Sequence, residues 1–158
     1  MPFFARLIFG LVRFAARKGL AEPQDAAMGA TARQRARQTG IRGETFAYWY
    51  LRCHGYVLIA RNYTVPGLKG EIDLIGYDGP VLAFVEVKTR TASSEGGGLP
   101  EDAVGPEKRR HLSRMARQFL ADRRIPSAPC RFDVLAIESR PGHIPVVRLH
   151  KGAFAADG

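Results

Sequence analysis

The chain has little cysteine: its 158 residues include only Cys53 and Cys130. Two cysteines cannot form a disulfide scaffold, and no Cys-x-x-Cys pair exists, which argues against a zinc ribbon or a thioredoxin-like redox site. The four histidines are scattered without metal-ligand spacing, so we expect them to be structural or on the surface. This cysteine usage suits a reducing compartment, and we expect a cytoplasmic protein.

No uninterrupted apolar run is long enough to predict a membrane-spanning helix. Residues 1–20 are largely apolar, but Arg6 and Arg13 interrupt any run of about 18 residues. The basic pair at positions 17 and 18 follows the apolar stretch, which is the wrong order for a secretory signal. Apolar residues at helical spacing predict an amphipathic helix instead. Three interpretations of residues 1–20 remain open: a disordered extension, a helix packed on the core or on a partner, and an anchor on a membrane surface.

Acidic residues are scarce relative to basic ones, with 15 Asp and Glu against 24 Lys and Arg, a net charge of +9. This balance predicts a polyanionic partner, nucleic acid first and an anionic membrane surface second. Residues 1–42 carry eight basic and two acidic side chains, so about two thirds of the excess lies in this N-terminal part. The hydrophobic fraction of 46% is ordinary for a folded domain and argues against wholesale disorder.

The hydrophobic patterning predicts an α/β fold, with a central mixed β-sheet of about five strands flanked by helices. We expect residues 1–37 to form a basic, partly amphipathic extension with a linker at 21–32, and residues 38–158 to form the main domain. The predicted order is a helix from about 31 or 34 to 53, strands at 56–62, 71–77 and 80–90, a helix at 106–123, and strands at 131–138 and 145–150. A flexible loop is predicted at 91–98.

The third predicted strand carries charge in an apolar setting. Side chains alternate along a strand, so Glu86 and Lys88 point to the same face, roughly 6–7 Å apart. The apolar residues between and beside them point to the other face. A carboxylate and a lysine on an otherwise apolar strand cost free energy unless they are paired or functional.

The second predicted strand adds another carboxylate to this face. If Asp78-Gly79 is a two-residue turn, Asp73 lies opposite Phe84 and diagonal to Glu86, about 7–8 Å away. A three-residue loop would break this parity. Two converging carboxylates favour a hard cation, Mg²⁺ or Mn²⁺, completed by water. The alternative is a structural salt bridge between Glu86 and Lys88, with Asp73 satisfied at a strand end.

Twelve residues separate Asp73 from Glu86, and one residue separates Glu86 from Lys88. This spacing resembles the core of the PD-(D/E)xK nuclease superfamily, although Ile72 stands where the motif has proline. The surrounding sequence is similar to the YraN family of small bacterial endonuclease-like proteins, whose fold is similar to that of archaeal Holliday-junction resolvases. This resemblance covers about residues 38–155. The matched positions are Gly43-Glu44, Ala47, Leu51, Gly55-Tyr56, Arg61-Asn62, Gly70 to Ile75, Phe84 to Arg90, Lys108 and Arg131-Phe132-Asp133.

The resemblance implies a restriction-endonuclease-like sheet and a role for each matched residue. Asp73 and Glu86 would be direct metal ligands, helped by the backbone carbonyl of Val87. Lys88 would be the catalytic lysine, and Glu44 would be the outlying acid that reaches the metal through water. It further implies Mg²⁺-dependent hydrolysis of DNA phosphodiester bonds, in branched or damaged DNA, with no small-molecule cofactor. A homodimer with two sites would suit a branched substrate.

Basic residues after the motif are candidate nucleic-acid contacts. Arg90 follows Lys88 closely, and a group on the second main-domain helix comprises Lys108, Arg109, Arg110 and Arg114. The alternative is a solvated basic face, and Lys108 is equally suited to support the carboxylates. Arg131 and Asp133 share a strand face, where we expect a structural ion pair.

Besides an endonuclease, two other functions remain open. One is a non-catalytic DNA-binding accessory protein that retains the nuclease fold. The other is a membrane-surface adaptor that uses residues 1–20. The intact Asp73, Glu86 and Lys88 favour the endonuclease over the accessory protein, since a binding module has no need of all three.

Overall fold

The computed structural model describes residues 2–17, 20, 31–91, 104–125 and 128–155. The predicted α/β fold with a mixed five-stranded sheet is confirmed. Nearly all of the predicted linker and flexible loop lie outside the described residues. The elements are α1 (Pro2–Ala16), α2 (Ala32–Cys53), β1 (Val57–Tyr63), β2 (Ile72–Asp78), β3 (Val81–Thr91), α3 (Pro106–Asp122), β4 (Cys130–Ser139) and β5 (Val146–Phe154).

The strands are arranged in sequence order, β1-β2-β3-β4-β5, with β3 at the centre. Neighbouring strands are antiparallel except β3 and β4, which are parallel. Parallel neighbours need a crossover connection, usually helical, and α3 lies in that connection. The sheet is therefore mixed because of this one crossover.

Local sequence signals set the helix ends. Thr31 caps α2, accepting a hydrogen bond from the backbone N–H of Gln34, whose side chain accepts one from the N–H of Thr31. Pro106 occupies the first turn of α3, where its missing N–H costs nothing. The predicted ends of both helices and the predicted start of α3 agree with the structure to within about one residue, and of the two predicted starts of α2 the one at Thr31 agrees with the capping residue.

Strand β5 runs four residues beyond its predicted end. Lys151 and Gly152, which follow the predicted end, belong to residue types that are depleted in strands. The N–H of Gly152 donates to the buried Asp133 carboxylate at 2.9 Å, and Phe154 stacks on Phe132 with ring centroids 4.7 Å apart. These contacts from β4 hold the extension in place.

Helices cover both faces of the sheet. The apolar side of α3 packs on one face with a core that includes Ile75, Phe84, Met115, Phe119 and Phe132. Helix α2 packs on the other face with a core that includes Phe46, Leu51, Leu74, Val85 and Leu135. The alternation of β3 thus sends Phe84 toward α3 and Val85 toward α2.

Helix α1 packs against α2 and joins the core on that face of the sheet. The rings of Phe9 and Phe46 meet edge to face at 5.3 Å, and the Cys53 thiol donates to the Ala5 carbonyl at 3.2 Å. The structure thus confirms a packed helix at residues 2–16, whereas the membrane-surface anchor concerns the outer face of this helix and stays a prediction. The predicted domain boundary at residue 37 falls inside α2. Within the described ranges, no helix is long and apolar enough to cross a bilayer.

The hairpin between β2 and β3 differs from its predicted form. Asp78 pairs with Val81, so the two-residue connection is Gly79-Pro80 and the predicted Asp78-Gly79 turn is wrong. Gly79 takes a φ of 60°, which glycine adopts without strain. The register is shifted by two residues, and an even shift preserves the face of every side chain. Continuing the observed pairs by one residue places Asp73 opposite Glu86 rather than diagonal to it.

Candidate active site

Glu86 is the centre of a charged cluster on the α3 side of the sheet. Its side chain is only 5% exposed, and its Oε1 lies 2.7 Å from Lys88 Nζ and 3.3 Å from Lys108 Nζ. Its Oε2 is buried and has no hydrogen-bond partner among the residues that the structure describes. Together with Asp73 across the β2–β3 ladder, these residues form what we call the carboxylate centre: Asp73, Glu86, Lys88 and Lys108.

The carboxyl group of Asp73 is held in an unfavourable environment for its charge. Burial, and then the neighbouring Glu86 carboxylate, raise its pKa to about 7 from an ordinary value near 4, and Glu44 adds to the increase. The backbone N–H of Val87, which donates to Asp73 Oδ2 at 2.6 Å, and the charge of Lys108 oppose it. The folded protein therefore disfavours the charged form of Asp73.

Glu44 reaches this region from α2. A Cβ on Gly43 would lie 3.0 Å from the Cβ of Thr89 and would overlap the Thr89 hydroxyl, so only glycine lets α2 approach β3 this closely. The Glu44 side chain accepts a hydrogen bond at 2.8 Å from Asn62 Nδ2. Its influence on the pKa of Asp73 places it within electrostatic range of the carboxylate centre.

Asn62 is a site residue to which sequence reasoning gave no role. It lies near the end of β1 in a left-handed conformation with a φ of 47°, which asparagine tolerates better than most residues. That conformation accompanies the side-chain contact with Glu44. The only signal in the sequence was its place in the Arg61-Asn62 match to the YraN family.

The donors at the carboxylate centre fit a hard divalent cation. No group of three His, Cys, Asp or Glu side chains is arranged to hold a metal ion in the part of the chain that the structure describes. The candidate side-chain ligands at this centre are thus two carboxylates, those of Asp73 and Glu86. The N–H of Val87 points toward Asp73, and the carbonyl of a strand residue points to the same edge as its N–H. An unpartnered Glu86 oxygen and a half-protonated Asp73 are the features that a cation would relieve.

Two of the predicted nucleic-acid residues point inward from α3. Lys108 contacts Glu86, so it belongs to the carboxylate centre. Arg109 donates from Nε to the Val104 carbonyl at 2.7 Å and lies over the Phe154 ring at 5.4 Å. Arg109 therefore supports the packing between the start of α3 and β5.

Three other predicted contacts lie on the surface. Arg110 and Arg114 are exposed one turn apart on the outer face of α3, and Arg90 is exposed near the end of β3. Arg114 also borders a cleft of about 290 Å³ beside the carboxylate centre. The residues around this cleft are mostly basic: Lys69, Glu107, Lys108, His111 and Arg114.

The model of the uncharacterised protein family UPF0102 matches residues 43–137. The chain belongs to UPF0102. This agrees with the predicted membership of the YraN family. The matched range includes Glu44, all of the carboxylate centre and the second half of α2, and it leaves out α1.

Individual UPF0102 relatives match a longer part of the chain. A UPF0102 protein of Koribacter versatilis is 42% identical over 122 residues, which are 77% of this chain and 82% of the relative. One from Symbiobacterium thermophilum is 45% identical over 121 residues, 77% of this chain and 99% of the relative. One from Chlorobaculum parvum is 46% identical over 98 residues, 62% of this chain and 73% of the relative. The names of these three relatives state no activity.

A second charged cluster of this UPF0102 protein lies on the α2 side of the sheet. Arg131 pairs with the fully buried Asp133, Nε to Oδ1 at 2.8 Å, which confirms the predicted ion pair. The Tyr56 hydroxyl donates to Asp133 Oδ2 at 3.1 Å, and Arg131 also pairs with Asp78. Each carboxylate oxygen of Asp133 has a partner, so this cluster is satisfied where the carboxylate centre is not.

Proposed function

We propose that this UPF0102 protein is a metal-dependent endonuclease that hydrolyses DNA phosphodiester bonds. The observation that carries the proposal is the incomplete satisfaction of the carboxylate centre. Glu86 keeps one buried oxygen without a partner, opposite an aspartate whose pKa is raised to about 7. A purely structural salt bridge would leave neither a buried oxygen without a partner nor an acid with a raised pKa. The Asp133 cluster illustrates this, because both of its carboxylate oxygens have partners. Perturbed acids of this kind are typical of functional sites.

Asp73 and Glu86, with the Val87 carbonyl, would hold Mg²⁺ or Mn²⁺. When bound, the ion would polarise a phosphate oxygen and lower the pKa of a coordinated water. Lys88 donates one N–H to Glu86, and its ammonium group carries two more. Because Lys88 is partly exposed, those donors are available to orient the attacking water or to offset charge on the phosphoryl group. Glu44 would act through water, since its direct contact is Asn62.

The substrate class follows from the charge around the centre. The basic cleft beside it and the exposed arginines of α3 suit a polyanion with regularly spaced phosphates. Contacts of this kind position a nucleic acid without reading its sequence. Branched or damaged DNA is the substrate implied by the YraN resemblance, and two copies of the chain would supply the two cuts that a junction needs.

A DNA-binding accessory role is the second candidate. It is favoured by the two lysines that already contact Glu86 Oε1, which partly neutralise the acid without a metal. An accessory protein would bind DNA through the same basic surface and cut nothing.

Cleavage assays separate these two functions. The full chain is incubated with Mg²⁺ or Mn²⁺ and with linear, single-stranded, flap and four-way DNA. We expect the wild type to cut at least one substrate, and Asp73→Asn, purified in parallel, to cut none. Equal cutting by both would identify a contaminating nuclease and refute the assignment. Tight binding without cleavage under either metal would favour the accessory role.

The salt dependence of DNA binding tests the surface. Arg110→Ala with Arg114→Ala removes two exposed cations spaced four residues apart on α3. If each contacts one phosphate, the slope of log K against log salt falls by about 1.8 for duplex DNA. Arg33→Ala with Arg37→Ala is the matched control, because these exposed arginines have the same spacing on α2, on the other side of the sheet. An equal decrease in both double variants would place the DNA elsewhere.

A further inference from the structure

The outer face of α1 carries an apolar stripe that no described residue covers. Its members, Phe4, Leu7, Leu11 and Phe14, are each between 58% and 67% exposed. At 100° per residue they fall within an arc of about 80° on one face of the helix. Single exposed apolar residues are common, but four large ones in a continuous row mark an interaction surface.

This stripe is not needed for the fold. The opposite face of α1 already packs on the domain, where Ala5 and Ala16 are buried and Phe9 contacts both Phe46 and Tyr50. The carbonyl of Arg17, at the end of the helix, also accepts a hydrogen bond from Gly142 N–H at 2.8 Å. The helix is therefore held to the domain by one face and presents the stripe outward with the other.

The charges beside the stripe identify the chemistry of its partner. Arg6, Arg13 and Arg17 are exposed and lie along one flank of the stripe, within about 40° of one another around the helix. Residues 2–17 contain no acidic side chain. A second copy packed stripe against stripe would bring two such arginine rows together with no acid on either helix to offset them. A surface with an apolar interior beneath a negatively charged outer layer would match both the apolar stripe and the row of arginines.

We propose that α1 docks the protein on an anionic lipid surface. The helix lies in the plane of the membrane, with Phe4, Leu7, Leu11 and Phe14 at the acyl boundary and the three arginines among the lipid phosphates. With 15 residues it is about 22 Å long, too short to span the roughly 30 Å hydrocarbon core. The inference does not depend on the proposed nuclease function. Because α3 lies across the sheet from α1 and α2, the carboxylate centre of a docked molecule remains on the aqueous side.

Vesicle co-sedimentation of the full chain tests this proposal. The probes are phosphatidylcholine vesicles with and without phosphatidylglycerol. We expect binding to the anionic vesicles, weakened by salt, and at least roughly tenfold weaker partitioning to the neutral ones. Leu7→Ser with Leu11→Ser should reduce partitioning at least roughly tenfold, because both side chains would leave the acyl boundary. Both leucines are exposed, so the thermal melt of this variant should match the wild type.

A matched control removes exposed apolar side chains elsewhere. Val57→Ser with Ile59→Ser changes two exposed residues of β1, and its vesicle binding should equal that of the wild type. Absence of binding to anionic vesicles would overturn the proposal. So would an equal loss in the two double variants. If the wild type does not bind vesicles but dimerises with increasing concentration, and if Leu7→Ser with Leu11→Ser abolishes the dimer, the stripe binds a second copy of the chain instead.

Discussion

Replacing Asp73 with asparagine should make the protein more stable at neutral pH in the absence of metal. In the unfolded chain an aspartate loses its proton near pH 4, whereas in the folded chain Asp73 holds its proton up to about pH 7. Between these values the folded state binds more protons than the unfolded state, so stability falls as pH rises. Three pH units at about 1.4 kcal/mol each lower the free energy of unfolding by at most about 4 kcal/mol. This decrease is complete once the pH is above the pKa of Asp73 in the folded state.

Asparagine does not titrate, and its side-chain oxygen still accepts from the Val87 N–H. The free energy of unfolding of Asp73→Asn should therefore exceed that of the wild type increasingly from about pH 4 to about pH 7, and the difference should then stay constant. Urea denaturation in EDTA across this range measures the difference. Parallel profiles for wild type and Asp73→Asn would refute the argument that the carboxylate centre stores unfavourable charge.

Three further predictions concern the same region. Millimolar Mg²⁺ or Mn²⁺ should raise the melting temperature of the wild type by binding the folded state, and an equal increase in Glu86→Gln would contradict the proposed ligands. Lys88→Ala should slow single-turnover DNA cleavage roughly 10²–10³-fold, which corresponds to about 2.7–4 kcal/mol, and should leave DNA binding nearly intact. Lys88→Arg should not restore the cleavage rate fully. If Lys88→Ala cleaves at the wild-type rate, the lysine is only a salt-bridge partner of Glu86. Gly43→Ala should cost about 1–3 kcal/mol in urea denaturation because its Cβ meets Thr89, whereas Gly40→Ala, whose Cβ meets only a side-chain atom at 4.0 Å, should be neutral or stabilising.

The sequence predicted the carboxylate centre because strand alternation is a local rule. Glu86 and Lys88 share a face whatever the rest of the fold does. The position of Asp73 depended on a turn that was assigned one residue too early, and the error was harmless because it shifted the register by an even number. The helical spacing of Lys108 with the buried residues of α3 likewise suited it to face the sheet. Its contact with Glu86 favours the supporting role over the purely exposed one.

Other features depend on contacts distant in sequence, which no local pattern contains. Arg109 sits among arginines that face solvent, yet the Val104 carbonyl and the Phe154 ring bring it inward. The end of β5 is held by Asp133 and Phe132, which lie about 20 residues earlier in the chain. The contact between Asn62 and Glu44 joins β1 to α2 through a backbone conformation that the sequence did not reveal.

The layered arrangement of the chain has a practical consequence for attaching it to other molecules. Anything joined ahead of α1 meets the domain on the side of the sheet where α1 and α2 share a core, opposite the α3 side that carries Glu86 and Lys108. The end of β5 is different, because Phe154 lies in the core on the α3 side, against Arg109. A fluorophore, an affinity handle or a solid support is therefore best fixed through the N-terminal side, where it leaves the basic cleft open.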